Sequence, residues 1–228
     1  MNASVIIPAL DEQDAIGDLV ARVPRLGVSE VIVVDNGSTD ATATVARAAG
    51  ARVVVEPRRG YGAACWAGVA ALGVDVAVAA FLDGDGSQRP EELPGVLAPI
   101  LLDRADLVLG ARTLAAGSHP AHAALGTRLV SAFIRRRYGV AITDVPPFRA
   151  IRVELLRRLR MRDRAFGWPV EMIVKAAAVR ARIVEVPVTH AARTAGRSKV
   201  SGTLVGTVRA GYGFLTTALR AARDVTAA

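Results

Sequence analysis

The sequence predicts an α/β protein with a central, mostly parallel sheet covered by helices on both faces. Three observations carry that expectation. Short apolar runs alternate with stretches of helical periodicity from residue 3 to about residue 110. The runs are apolar throughout rather than at every second position, as in strands buried on both faces. Composition agrees: 52% of residues are hydrophobic but only 4% aromatic, so Ala, Val and Leu fill the strands and helices.

SVIIPA begins the series as a first strand, and Ile16, Leu19, Val20 and Val23 then recur at helical spacing. VIVVD (31–35) is a second strand, and NGST supplies a turn before a helix over 40–49, with Ser38 or Thr39 as cap. A third strand is expected over 51–56, a helix over 61–72, a fourth strand over 76–83, a helix over 91–102 and a fifth strand over 106–110. The nearly continuous apolar stretch 64–82 is divided by Gly73 and Asp75 and reads as helix then strand, not as a membrane span. Beyond it, 123–137 is helical and ends in Arg135–Arg137, and 143–152 is a loop entering a short strand. A helix over 170–179 and a strand over 182–188 follow, then a basic, small-residue segment over 190–202. The final helix, 203–222, mixes Leu204, Val208 and Phe214 with Arg209 and Arg220, which suits a helix lying on a surface. No linker divides the chain, so one domain over 1–228 is expected.

The net charge of +8 over 228 residues favours anionic partners, whether nucleotides, phospholipid surfaces or nucleic acid. Cys65 is the only cysteine, which excludes an internal disulfide and a thiolate metal site. The start, MNASVIIPALDE, reads as a strand rather than a secretory signal, so a cytoplasmic location is expected. His119 and His122 have no third ligand near them, which argues against zinc.

Two segments carry chemistry. In FLDGDGS (81–87), Asp83 and Asp85 follow a buried strand, and the glycines let the backbone bend around one divalent cation. The same letters also fit a hydrated Asp-Gly turn. In VIVVDNGSTD (31–40), Asp35 ends a strand where it can accept hydrogen bonds from a nucleoside. Neither a G-x-G-x-x-G fingerprint after the first strand nor a Walker lysine loop is present.

In order and spacing, PAL-DE (8–12), VVDNGSTD (33–40), EPRRGYGAA (56–64) and FLDGDGSQRPEEL (81–93) resemble family 2 of the nucleotide-sugar glycosyltransferases, which has the GT-A fold. GAR (110–112), TDVPPFRAIR (143–152), FGWPVEM (166–172) and R-x-x-G-R-S-K (193–199) are similar to its polyprenyl-phosphate mannosyl- and glucosyltransferase branch. The resemblance implies a nucleotide-sugar and metal half over 1–110 and an acceptor half over 111–228. It implies that Pro8, Ala9, Glu12, Asp35, Gly62 and Asp83 bind the nucleotide-diphosphate sugar, and that Asp83 and Asp85 hold Mg²⁺ or Mn²⁺. Arg112, Arg128 and Ser131 would meet an acceptor phosphate, with Arg193 and Lys199 on a loop closing over the phosphates. Asp85, Glu171 and Asp144 are the expected catalytic residues, Glu171 as a base only if the acceptor is a hydroxyl. Ser87 and Pro147 depart from the branch, which usually carries Gln and Gly there. The outcome implied is inverting transfer of a hexose to a lipid phosphate, with peripheral contact to an anionic membrane. Rival expectations are a hydroxyl acceptor on a metabolite or glycan, a sugar-phosphate nucleotidyltransferase, and a nucleic-acid binder. The last lacks the aromatic interleaving that single strands need.

Overall fold

The computed structural model describes residues 2–113, 121–191 and 216–222. Along the chain come β1 (Ala3–Ala9), α1 (Gln13–Arg22), β2 (Glu30–Asp35), α2 (Thr42–Ala48), β3 (Arg52–Val55), α3 (Tyr61–Ala70) and β4 (Val78–Phe81). They are followed by α4 (Leu93–Leu101), β5 (Leu107–Thr113), α5 (Ala121–Tyr138), β6 (Arg149–Arg152), α6 (Val153–Arg158), α7 (Trp168–Ala178) and β7 (Ile183–Thr189). Residues 216–222 are helical.

The seven strands form one sheet in the order β3-β2-β1-β4-β6-β5-β7. Only β6 is antiparallel to its neighbours, β4 and β5. That reversal matters for the site. The entry to β6 lies at the same sheet edge as the exits of the parallel strands, so residues 143–148 reach the edge where ligands of such sheets bind.

Alternation along the strands splits the core between the two faces. Ile6, Val34, Phe81 and Leu109 pack with Cys65, Ile134, Trp168 and Met172 under α3, α5 and α7. Val5, Ile7, Val33 and Leu82 pack with Ile16, Val20, Val96 and Ile100 under α1 and α4. Most of these side chains are fully buried, and each such Val, Ile or Leu contributes about 1.5–3 kcal/mol.

Several boundaries differ from expectation for identifiable reasons. The helix expected at 40 begins at Thr42, because Asp40 caps it from outside through a hydrogen bond from the Thr42 N–H. The helix expected over 91–102 is a 3₁₀ turn, Pro90–Glu92, followed by α4 with a proline in its first turn. β5 runs on to Thr113 because β7 pairs with it residue by residue as far as Thr189. The six-residue α6 was not expected from the pattern. Residues 64–82 resolve into the end of α3 and β4, and among the described residues no helix is long and apolar enough to cross a membrane.

Candidate active site

The first group of predicted site residues lies along the exits of three adjacent strands. Ala9 pairs with Asp35 across β1 and β2, and Pro8 pairs with Val34. β4 runs beside β1 with Ile6 opposite Phe81, so Asp83 emerges next to Pro8 and Ala9. Gly84 packs closely there. A Cβ on it would stand 3.3 Å from the Pro8 carbonyl oxygen and 3.4 Å from the Ala9 Cβ, which is tight packing for any larger residue.

The two loops after β1 and β2 hold one another. The Asp11 N–H donates to Ser38 Oγ at 3.0 Å, and the Glu12 N–H to Thr42 Oγ1 at 2.8 Å. In return Asp11 Oδ1 accepts from the Thr39 N–H at 2.7 Å, and Gln13 Oε1 from the Ala41 N–H at 3.0 Å. Ser38 and Thr39 therefore bind the neighbouring loop instead of capping their own helix, and the cap falls to Asp40. Burial works against the Asp40 charge, but hydrogen bonds from Thr42 and from backbone amides hold its carboxyl below the usual range. Asp35 is buried, and its Oδ1 accepts from the Ser38 N–H at 3.0 Å.

In the acidic turn, Asp85 Oδ1 accepts from the Ser87 N–H at 2.9 Å, and the Asp83 N–H donates to Gln88 Oε1 at 3.2 Å. Ser87 thus serves the turn through its backbone, while Gln88 closes it with its side chain. Among the described residues no group of three or more His, Cys, Asp or Glu is placed to hold a metal. The protein alone offers two carboxylates, Asp83 and Asp85. Such a pair fits a hard cation that takes its other ligands from substrate oxygens and water.

Across the sheet, Arg112 at the end of β5 forms a two-pronged pair with Asp144, Nε to Oδ2 and Nη2 to Oδ1, each at 2.7 Å. The pair is mostly buried. Desolvation opposes both charges, yet their mutual hydrogen bonds win, raising the Arg112 pKa and lowering that of Asp144. The charge of Asp83 also reaches Arg112. Glu185 on β7 fixes this loop by accepting from the N–H groups of Thr143 and Asp144 at 2.8 and 3.1 Å.

Glu171, expected as a catalytic acid, has both oxygens committed. They accept from the N–H groups of Arg162 and Asp163 at 2.7–3.0 Å, and Lys175 Nζ pairs with Oε1 at 2.6 Å. The loop so fastened turns its carbonyls onto the start of α3, where the Gly62 and Ala63 N–H groups donate to Ala165 and Arg164 at 2.9 Å. Gly62, expected at the donor, spends its N–H on that contact. A Cβ there would come within 2.4 Å of the Asp163 carbonyl oxygen.

Arg128 is exposed on α5, and Ser131 is buried with no partner for its Oγ among the described residues. Neither is hydrogen-bonded to Arg112 or Asp144. Arg193 and Lys199 lie outside the described residues, as do His119, the side chain of His122 and the expected final helix before residue 216. A cavity of about 410 Å³ between Val74–Ala77 and Arg152–Arg157 opens at the opposite sheet edge, and none of the described site residues lines it.

With this geometry in view, the model of the family described as glycosyl transferase family 2 matches residues 4–160. The chain belongs to glycosyl transferase family 2. An uncharacterized glycosyltransferase of Mycobacterium tuberculosis is 44% identical over 207 residues, covering 90% of this chain and 92% of that one. Undecaprenyl-phosphate mannosyltransferase of Micrococcus luteus is 34% identical over 229 residues, 90% of each chain. Glucosyl-3-phosphoglycerate synthase from Mycobacterium tuberculosis, solved with Mn²⁺, UDP-glucose and phosphoglyceric acid, superposes with a TM-score of 0.80 at 25% identity. That match covers 97% of this chain and 79% of that one. The fold of this glycosyltransferase is GT-A, as the resemblance implied.

Three polar residues near these strand exits were not singled out from the sequence. Asn36 ties the β2 exit to the next loop, donating to the Glu56 and Arg58 carbonyls at 2.9 and 2.7 Å and accepting from the Gly60 N–H at 2.7 Å. His190 follows β7, and its backbone bridges to Gln88 at the end of the acidic turn. Arg149 lies fully buried where β6 enters the sheet. Only Arg149 left a signal, as a charge at the head of an apolar strand.

Proposed function

We propose that this glycosyltransferase moves a hexose from a nucleoside-diphosphate sugar to a polyprenyl-phosphate-like acceptor, with inversion. The observation that carries the acceptor is the state of the two second-half carboxylates. Asp144 is held ionised by Arg112, and Glu171 is fastened to backbone amides and Lys175. Neither stands ready to take a proton from a hydroxyl, and a phosphate acceptor needs no base because it is already ionised at neutral pH. The likeness to undecaprenyl-phosphate mannosyltransferase supports the same reading.

In this reading Asp35 and the strand-exit segment Pro8–Ala9 hold the nucleoside, and Asp83 and Asp85 hold Mg²⁺ or Mn²⁺ with the donor diphosphate. Bound there, the cation would neutralise charge on the departing nucleoside diphosphate. Arg112 orients the acceptor phosphate, whose oxygen attacks the anomeric carbon as the bond to the diphosphate breaks. Arg193 and Lys199 close over the phosphates, and basic surface residues bring the enzyme to an anionic membrane.

A second reading, a small phosphorylated acceptor with a reacting hydroxyl, is favoured by the structural likeness to glucosyl-3-phosphoglycerate synthase. UDP- and GDP-sugars should be incubated with Mg²⁺ or Mn²⁺ and either a short polyprenyl phosphate or 3-phosphoglycerate. Metal-dependent release of nucleoside diphosphate with glycosylated polyprenyl phosphate is expected. Transfer to 3-phosphoglycerate alone would replace the first reading with the second.

A further inference from the structure

Arg149 is a buried guanidinium with no acid paired to it among the described residues. It is fully buried, and no ion pair to it forms among the described residues. Its Nε donates to the Pro147 carbonyl and its Nη2 to the Tyr61 hydroxyl, both at 3.2 Å. Nη1 has no hydrogen-bond partner among the described residues. A cation in that state is costly, since among the described residues its loss of water is offset by two neutral hydrogen bonds and by the Phe81 ring, 5.6 Å from its Cζ.

Its position suggests what offsets the cost. Arg149 pairs with Phe81 across β6 and β4, so the two side chains share a sheet face. Phe81 packs on the α3 face and Leu82 on the other, which returns Asp83 to the face of Arg149. Both charges are felt at the same buried sulfur. Burial pushes the Cys65 thiol up to about 12, while Arg149 pulls it down and Asp83 pushes it up. Arg112 is reached by Asp83 from another direction. The Asp83 carboxylate therefore lies in the field of two guanidiniums.

We infer that Arg149 is a positioning residue that sets the charge balance of the Asp83–Asp85 pair, so that a divalent cation binds weakly alone and enters together with the donor's diphosphate. The inference rests on the proposed metal role of that pair. Arg149 repels a bare cation and attracts an anionic diphosphate, and both effects act through space from a buried guanidinium. A single unit charge several ångströms away in a partly buried site changes affinity by roughly tenfold.

The test compares wild type, Arg149→Met and Arg149→Lys in binding of Mn²⁺ alone, of UDP or GDP alone, and of both together, by titration calorimetry with Mn²⁺ electron paramagnetic resonance. Arg149→Met should tighten bare Mn²⁺ about tenfold and weaken metal-free nucleotide by a similar factor, with Arg149→Lys close to wild type. Opposite signs are the signature, because a merely structural residue would weaken both ligands together. Weakening of both, or no change in either, overturns the inference. Should the Met variant not fold, the wild type decides: saturating nucleotide should tighten Mn²⁺ at least about tenfold, and equal affinity with and without nucleotide overturns the inference. Asp85→Ala separates the two levels. If metal-dependent nucleotide binding survives in it, the metal reading itself fails. If binding is lost there but Arg149→Met shows no split, only the role of Arg149 fails.

Discussion

On the proposed donor side, Pro8, Ala9, Asp35 and Asp83 emerge from β1, β2 and β4, three adjacent strands running the same way. Neutral and backbone hydrogen bonds between neighbouring loops hold them, as between Asp11 and Ser38 or Glu12 and Thr42. On the proposed acceptor side, Arg112 and Asp144 come from β5 and from the approach to β6, the reversed strand. Ion pairs hold that side: Arg112 with Asp144, and Glu171 with Lys175 behind the loop that caps α3. The difference teaches where each side can be broken. Donor residues are removable one at a time with the lattice intact, whereas acceptor-side charges leave a buried partner stranded.

The largest effect should come from Asp85→Ala. Removing a carboxylate that holds a cation at the leaving group should lower the initial rate of transfer by about 10²–10³ or more. Its thermal unfolding, measured alongside, separates a lost cation site from a lost fold. A rate within a few-fold of wild type would remove the pair from the chemistry.

Glu171→Ala should reverse that pattern. Lys175, a buried ammonium, would lose its carboxylate partner, and the N–H groups of Arg162 and Asp163 would lose the Glu171 oxygens. Breaking a buried pair from one side costs about 3–5 kcal/mol, readable in urea unfolding. A variant of native stability with a collapsed kcat would return Glu171 to the role of base.

The same contrast explains what could be read in advance. The strand exits proposed for the donor were legible as places because their signals are local: Asp35 ends one apolar run and Asp83 follows another, and strand exits are where parallel sheets place ligands. The order of the elements followed from the same runs. The antiparallel direction of β6 was not legible, because FRAI looks alike in either direction. The use of Glu171 was hidden too, since its partners at 162 and 163 precede it by a full loop. Ser38 and Thr39 misled for a related reason: a hydroxyl near a helix start suggests a cap, but an adjacent parallel strand can offer another loop's N–H groups instead.

A smaller, pH-dependent effect belongs to Asp144. Its folded pKa lies below its unfolded value, so its stabilisation is full above about pH 4, the unfolded carboxylate range. It is lost as pH falls through the folded value. Asp144→Asn should therefore cost about 3 kcal/mol near neutrality, where it strands Arg112, and the gap to wild type should narrow below pH 4. The lowered carboxyls of Asp40 and Asp106 are present in both proteins, so the difference between the two unfolding curves isolates Asp144. A gap independent of pH would mean that the pair contributes shape rather than charge.

The smallest effect compares two buried hydroxyls. Thr42 Oγ1 accepts from the Glu12 N–H and donates to Asp40 Oδ1, so it joins the two donor-side loops at the start of α2. Thr42→Val keeps the shape and removes both bonds. It should cost about 1 kcal/mol, the usual net value of such a loss, and weaken nucleoside-diphosphate binding severalfold through the loosened strand exits. Ser131 is its counterpart on α5, buried with an Oγ that has no partner among the described residues. Losing an unsatisfied polar atom is nearly neutral or stabilising, so Ser131→Ala should not lower the melting temperature. Its effect should fall on the KM for polyprenyl phosphate, if that hydroxyl waits for the acceptor. Equal destabilisation by the two substitutions would erase the distinction between a donor side held by its own hydrogen bonds and an acceptor side whose polar groups wait for a ligand.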